Sequence, residues 1–106
     1  MQGYKLIAAI LPKGATGKVM DAAREAGAEG GTILLARGTG IHEARRFFGL
    51  SVSSERELLL VLVEPGKARE VLDAVVGGRQ TRRAGKGHIA FVLAVEEVTG
   101  IVHRET

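Results

Sequence analysis

The chain has 106 residues, of which 45% are hydrophobic and 25% are charged, and this balance is typical of one small globular domain. It contains no cysteine, which excludes disulfides and thiolate metal sites, and no apolar run approaches the roughly 18 residues that span a bilayer. The net charge of +3 is mild, and the 4% of aromatic residues give little support to an RNA-stacking surface. A cytoplasmic protein is expected.

The first half of the chain predicts a strand, a helix and a second strand. Lys5 to Leu11 is short, apolar and followed by proline and glycine, as expected for a strand. Thr16 to Gly27 carries one apolar stripe at helical spacing, with Thr16 as the candidate N-cap and Gly27 as the stop. Thr32 to Ala36 is the second predicted strand.

The second half repeats this order. Leu58 to Val63 is an unbroken apolar strand, a helix follows with Val71 and Val75 on one face, and Ile89 to Val95 is the last strand. The segments "GKVMDAAREAG" and "GKAREVLDAVVG" occupy equivalent places in the two halves. Two such βαβ units predict a single α+β domain, a ferredoxin-like βαββαβ sandwich with an antiparallel four-stranded sheet and both helices on one face.

The apolar strands predict that this domain does not exist alone. Helices would cover only one face of the sheet, so its strands should alternate apolar and polar residues. Apolar residues instead occupy both the odd and the even positions, and therefore both faces, of two strands: Leu58 to Val63 and Ile89 to Val95. At about 25 cal/mol per Å2, a second face left in water would cost several kcal/mol and favour aggregation. A homo-oligomer that buries this face is therefore predicted.

The stretch "ILPKGATGKVMD" has the order of parts of a phosphate-binding loop: a strand, a glycine-rich turn, a lysine and a helix. The Walker pattern needs a wider glycine spacing and a hydroxyl after the lysine, whereas Gly14 and Gly17 are close together and Val19 follows Lys18. This stretch is therefore predicted to be a plain strand-to-helix turn. Two other glycine-rich basic segments, Arg37 to Gly40 and Thr81 to His88, suit a polyphosphate better.

The order and spacing of these motifs resemble the PII signal-transduction proteins. The matching stretches are "AGAEGGTILLARGTG" at 26–40, "EPGKAREVLDAVV" at 64–76 and "AGKGHIAFVLAVEEV" at 84–98. The resemblance covers nearly the whole chain outside 41–56. It implies a homotrimer that binds ATP, ADP or AMP in clefts between subunits and controls a target transporter or enzyme.

The resemblance also implies three functional segments: a T-loop at about 40–56 that docks onto the target, a phosphate-binding B-loop at about 81–88, and a C-terminal tail at 96–106 that closes over a neighbour's nucleotide. Carried over to this sequence, Thr32 and Val63 would lie near the adenine. The other predicted nucleotide contacts come from the two loops and the tail. They are Gly38, Thr39, Gly40, Thr81, Arg82, Arg83, Gly85, Lys86, Gly87, His88 and Arg104.

The sequence departs from the usual family pattern in both loops. Arg82, Lys86 and His88 replace a glycine, an aspartate and a lysine of the B-loop, which makes this loop more cationic. The T-loop is shorter and lacks the tyrosine used for uridylylation. His42 stands where the family has a glutamine that helps to bind Mg2+ and 2-oxoglutarate, which leaves the need for Mg2+ and the sensing of 2-oxoglutarate open.

The T-loop segment offers a candidate docking tip, because exposed aromatic and arginine side chains are favoured interface anchors. Its residues are Arg45, Arg46, Phe47 and Phe48, for which local packing is the alternative. No pairing of a nucleophile with a base is visible, so no enzymatic activity and no covalent cofactor are predicted. Two other classes stay open: a ferredoxin-like trimer that binds a metal or small anion, and a basic RNA-binding domain.

Overall fold

The computed structural model describes residues 3–38, 54–77 and 89–101, in which strands and helices follow one another as βαββαβ. The elements are β1 (Lys5–Pro12), α1 (Thr16–Glu25), β2 (Thr32–Gly38), β3 (Ser54–Val63), α2 (Ala68–Val75) and β4 (Ile89–Ala94). All paired strands are antiparallel, and their order across the sheet is β2-β3-β1-β4. The predicted ferredoxin-like sandwich is confirmed.

One face of the sheet carries the hydrophobic core. In the register, Ile7 of β1 lies opposite Val61 of β3 on one side and Val92 of β4 on the other. Because side chains alternate along a strand, every second residue of each strand shares this face, which we call the covered face. The core that the strands form with α1 and α2 consists of Ile7, Ala9, Leu11, Val19, Met20, Ala23, Ala28, Leu59, Val61, Val63, Val71 and Val75.

The opposite face is apolar as well, and in the described residues no element packs over it. We call it the open face. Four of its large side chains, from β2 and β4, are between 43% and 57% exposed. They are Leu34, Ile89, Phe91 and Leu93. The prediction that β3 from Leu58 to Val63 and β4 are apolar on both sides is confirmed, and the oligomer that would cover the open face stays a prediction.

The antiparallel order gives the sheet two distinct ends. β1 finishes at Pro12, at the same end as the last residue of β2, Gly38, and the first residues of β3 and β4, Ser54 and Ile89. We call this the loop end, because the connections 39–53 and 78–88, which lie outside the described residues, meet the sheet there. The far end holds the start of β2 at Thr32 and the finish of β3.

The two strand-to-helix joints have the same backbone geometry, but the glycine that corresponds to Gly66 is Gly14 and not Gly17, with which the sequence repeat aligned it. At the first joint the Ala15 amide donates to the Pro12 carbonyl at 3.1 Å, and at the second the Lys67 amide donates to the Glu64 carbonyl at 3.1 Å. The intervening glycines, Gly14 and Gly66, have φ values of +90° and +89°, a left-handed conformation that favours glycine.

Two details of the sequence interpretation are wrong. Thr16 is not the N-cap of α1, because Ala15 occupies that position and its side chain makes no capping bond. The Thr16 hydroxyl donates instead to the carboxylate of Glu57. β3 begins at Ser54 rather than Leu58, so residues 54–56, which the resemblance placed in the T-loop, belong to the strand. Their side chains are polar, so the sequence pattern did not predict a strand here. This part of β3 pairs with β2 and continues the sheet beyond its apolar part.

Candidate functional site at the two ends of the sheet

A cleft of about 450 Å3 opens at the loop end, between the β1–α1 turn and the β2–β3 ribbon. Its lining combines three cations, one carboxylate and two apolar side chains: Lys13, Leu35, Ala36, Arg37, Glu55 and Arg56. Leu35 is 81% exposed although it belongs to a strand. The positive charge and the position of the cleft, beside the residues that lead into 39–53, make it the cationic part of the candidate site.

A salt bridge closes one side of this cleft. Lys13 Nζ lies 2.8 Å from Glu55 Oε1, and both side chains are exposed. The Lys13 hydrogen bond, followed by its positive charge, lowers the pKa of the Glu55 carboxyl, and Arg37 adds to this effect. The same contact raises the pKa of Lys13. An exposed pair of this kind adds little stability, but it fixes the direction of the ribbon relative to the turn.

A second carboxylate of the ribbon sits at the N-terminus of α1. Glu57 Oε1 accepts a hydrogen bond from the Thr16 amide at 3.3 Å and another from the Thr16 hydroxyl. The hydroxyl bond contributes most to a lowered pKa of Glu57, and backbone bonds from Gly14 and Thr16 contribute further. Helix N-termini attract anions because their first amides lack partners within the helix. Glu57 fills that role here, so the glycine-rich turn at 12–17 already holds an anion from its own chain.

The far end of the sheet carries a smaller cleft, of about 190 Å3, with the opposite charge. Its lining includes two carboxylates and a tyrosine among small and apolar residues: Tyr4, Gly27, Glu29, Gly30, Leu62, Glu64 and Ile101. Burial raises the pKa of Tyr4, and the negative charges of Glu64 and Glu29 raise it further. This cleft therefore suits a neutral group with hydrogen-bond donors better than a phosphate.

Three of the predicted nucleotide contacts lie in the described residues, and within a single subunit these three are far apart. Thr32 and Gly38 share the open face but stand at opposite ends of β2, which places them about 20 Å apart at roughly 3.3 Å per residue. Val63 lies at the far end, and its side chain is in the core with 2% exposure. A ligand contact by Val63 would therefore come from its main chain.

The remaining predicted contacts lie outside the described residues and stay predictions. They are Thr39, Gly40, Thr81, Arg82, Arg83, Gly85, Lys86, Gly87, His88 and Arg104 for the nucleotide, and Arg45, Arg46, Phe47 and Phe48 for a target. Within 3–38, 54–77 and 89–101, no three His, Asp or Glu side chains form a group that could hold a metal ion. In the same ranges, neither helix has the length and apolarity that crossing a membrane requires.

Sequence reasoning missed the charged residues that build the loop end. Lys13 was absent from the predicted site because its turn was predicted to be a plain connection, and Glu55 and Glu57 were absent because the strand was predicted to begin only at Leu58. A usable signal exists in "SERELLL", where glutamates at every second position precede an apolar run. That spacing places both carboxylates on one face of a strand, the face that turns toward the helices.

Comparison with known proteins agrees with this architecture. No curated protein matches the chain. Among solved structures, the chain resembles a DUF3240 family protein from Shewanella baltica OS155, with a TM-score of 0.69 at 10% sequence identity over 96% of this chain and 100% of the other. That likeness concerns the fold alone. The sequence also matches the family described as Nitrogen regulatory protein P-II over residues 4–105, which is almost the entire chain. The chain belongs to the P-II family, whose members are regulators rather than enzymes.

Proposed function

We propose that this protein is a PII-like signalling regulator that binds an adenine nucleotide in clefts between subunits of a homotrimer. The bound nucleotide sets the conformation of the connection 39–53, which controls a target transporter or enzyme. Family membership supports the regulatory role. Nucleotide binding, the trimer and the target are the parts that this proposal adds.

The observation that carries the proposal is the separation of charge between the two ends of the sheet. The loop end presents Lys13, Arg37 and Arg56, and it also receives the connection that contains Arg82, Arg83 and Lys86. The far end presents the carboxylates of Glu29 and Glu64. Phosphates favour the first environment, and a neutral base with an exocyclic amino group favours the second.

One subunit cannot offer both environments to one nucleotide, because about 20 Å of strand separates them by the usual rise per residue. The loop end of one subunit must lie beside the far end of its neighbour. The open face supports this arrangement, since its exposed apolar side chains need a cover and a second copy of the chain would provide one. Oligomer formation and nucleotide binding would then share one interface.

Isothermal titration calorimetry tests the nucleotide part of the proposal. ATP, ADP and AMP are titrated into the protein, with GTP and inorganic triphosphate as comparisons that change the base or remove it. We expect an adenine nucleotide to bind more tightly than both comparisons. Arg83→Glu and Gly87→Asp should weaken binding through charge and through loss of backbone approach, respectively.

The control is Arg69→Glu, which makes the same charge change on the exposed surface of α2, where Arg69 pairs with Asp73 at 3.6 Å. This variant should bind as the parent protein does. The absence of any heat of binding at millimolar concentrations of all three adenine nucleotides would refute the proposal. If triphosphate binds as tightly as ATP, the far end does not hold a base.

A further inference from the structure

The base of the connection 39–53 is attached to the first helix by two carboxylates of β3. We propose that Glu57 and Glu55 form a carboxylate tether that holds the β2–β3 ribbon against the start of α1, so that a displacement of the ribbon is passed on to the start of α1. The tether is a property of the free protein and does not depend on the proposed nucleotide binding. Its residues are positioning residues and need not touch any ligand.

Helix α1 lacks a side-chain cap of its own. Ala15 at the N-cap position makes no side-chain capping bond, and the first turn of α1 contains no acidic residue. The equivalent helix α2 also has no capping bond at Lys67, but it carries Glu70 in its first turn. α1 obtains its negative charge from Glu57, which lies 41 residues away in sequence. The start of α1 is therefore satisfied only while β3 stays in place.

The ribbon of β2 and β3 extends beyond the part of the sheet that β1 supports. Pairing between β1 and β3 ends at Pro12 and Arg56. Beyond this point, Glu55 and Ser54 pair with β2 alone, so the last part of the ribbon extends past the three-stranded region. One contact that links this part to the rest of the domain is the salt bridge between Glu55 and Lys13. Two-stranded ribbons are marginally stable by themselves, so such a contact biases their direction even though an exposed pair adds little to the stability of the whole domain.

Both carboxylates act on the same side of the sheet. Glu55 and Glu57 are separated by one residue, so both project from the covered face of the sheet. There they meet neighbouring parts of one turn, Lys13 and Thr16. A target or effector that bends the ribbon through the connection 39–53 would break the Glu55 contact first and, as the bend reaches the part of β3 that pairs with β1, the Glu57 contact. The start of α1 would then lose its anion, and the disturbance would reach the helix packed on the core.

Amide hydrogen exchange of the free protein, read residue by residue, tests the tether. Glu57→Gln keeps the shape of the side chain and removes its charge, and Thr16→Val removes the hydroxyl. Each variant should accelerate exchange about tenfold in two segments, residues 54–57 and the α1 amides 19–22, since a hydrogen bond to a charged group is worth about that factor. Amides 7–9 in the centre of β1 should not change, which excludes global destabilisation.

Two further variants complete the test. Glu25→Gln removes an exposed carboxylate from the last turn of α1 and should leave both segments unchanged. The double variant Thr16→Val/Glu57→Gln should exchange no faster than either single variant, because both remove the same interaction. Additive effects would overturn the proposal, as would acceleration in α1 without any change at 54–57. None of these outcomes depends on whether a nucleotide binds, so the tether and the proposed function can fail separately.

Discussion

Replacing Leu93 by glutamate tests whether the open face is the surface that holds subunits together. Leu93 lies on this face in β4, pairs with Leu6 of β1 and is 43% exposed. Complete burial of a leucine side chain contributes roughly 1.5–3 kcal/mol, so covering the remaining exposed part contributes about 1 kcal/mol. The four large exposed side chains of this face together offer about 4 kcal/mol per subunit by the same reasoning, or about 12 kcal/mol in a trimer.

A carboxylate at this position reverses the balance. Each subunit loses the leucine contribution and must bury a charge without a partner, which costs several kcal/mol. In a threefold arrangement the three new carboxylates would also face a common interface and repel one another. The combined cost exceeds what the four apolar side chains provide. We expect the variant to be a monomer at concentrations where the parent protein is a trimer.

Light scattering coupled to size exclusion distinguishes the two states, because one chain has a mass of 11.2 kDa and three have about 34 kDa, three times the chain mass. Ile33→Glu is the matched control: it makes a comparable exchange on the covered face of the edge strand, where Ile33 is 53% exposed and lines neither cleft. This control should remain a trimer. A parent protein that is monomeric at micromolar concentration would refute the reasoning, and so would a trimeric Leu93→Glu variant.

Two further predictions concern stability. Gly31→Ala places a Cβ 2.9 Å from Leu59 Cδ1 and 3.2 Å from the Leu60 carbonyl oxygen, so it should lower the free energy of unfolding by about 1–3 kcal/mol in denaturant titrations. As the control, the Cβ of Gly30→Ala meets no atom within 4 Å and should not destabilise the protein. Equal losses of stability for both variants would contradict the packing argument. Glu57 has a lowered pKa in the folded protein, so its contribution to stability is present above its ordinary pKa of about 4.5 and is lost as the pH falls through the lowered value. The free energy of unfolding, measured from pH 7 to pH 3, should therefore fall with acid, and it should fall less in Glu57→Gln. An identical pH profile for both proteins would be evidence against the contact.

The sequence was sufficient for the fold because the informative residues were apolar. The unbroken run from Leu58 to Val63 marked a strand, and the proline and glycine that follow Leu11 and Glu64 marked the two strand-to-helix joints; the structure confirms both. The same signals failed where strands became polar. Residues 54–57 include no apolar side chain, so hydrophobic periodicity could not predict this part of the strand. It is determined instead by backbone pairing with β2.

The candidate site was harder to predict because it depends on contacts between residues far apart in the chain. Thr16 had the residue type and position of an N-cap, yet its hydroxyl serves Glu57, which only the β1–β3 register brings near. Propensity identifies the partner type that a helix start needs, but not which segment supplies it. The separation of Thr32 from Gly38 likewise follows from strand length alone, and it changes where a site can form.

That separation links the assembly of subunits to ligand binding. If the phosphate-binding groups stand at one end of the sheet and the base-binding groups at the other, a monomer holds two half-sites that cannot act on the same molecule. Any ligand that bridges two subunits binds only the assembled form, and it must therefore stabilise that form by mass action. The open face is then more than a hydrophobic surface in need of cover. In the proposed assembly its exposed side chains would supply the free energy that brings the two half-sites together, and the carboxylate tether would keep the loop end in the direction in which a neighbour can meet it.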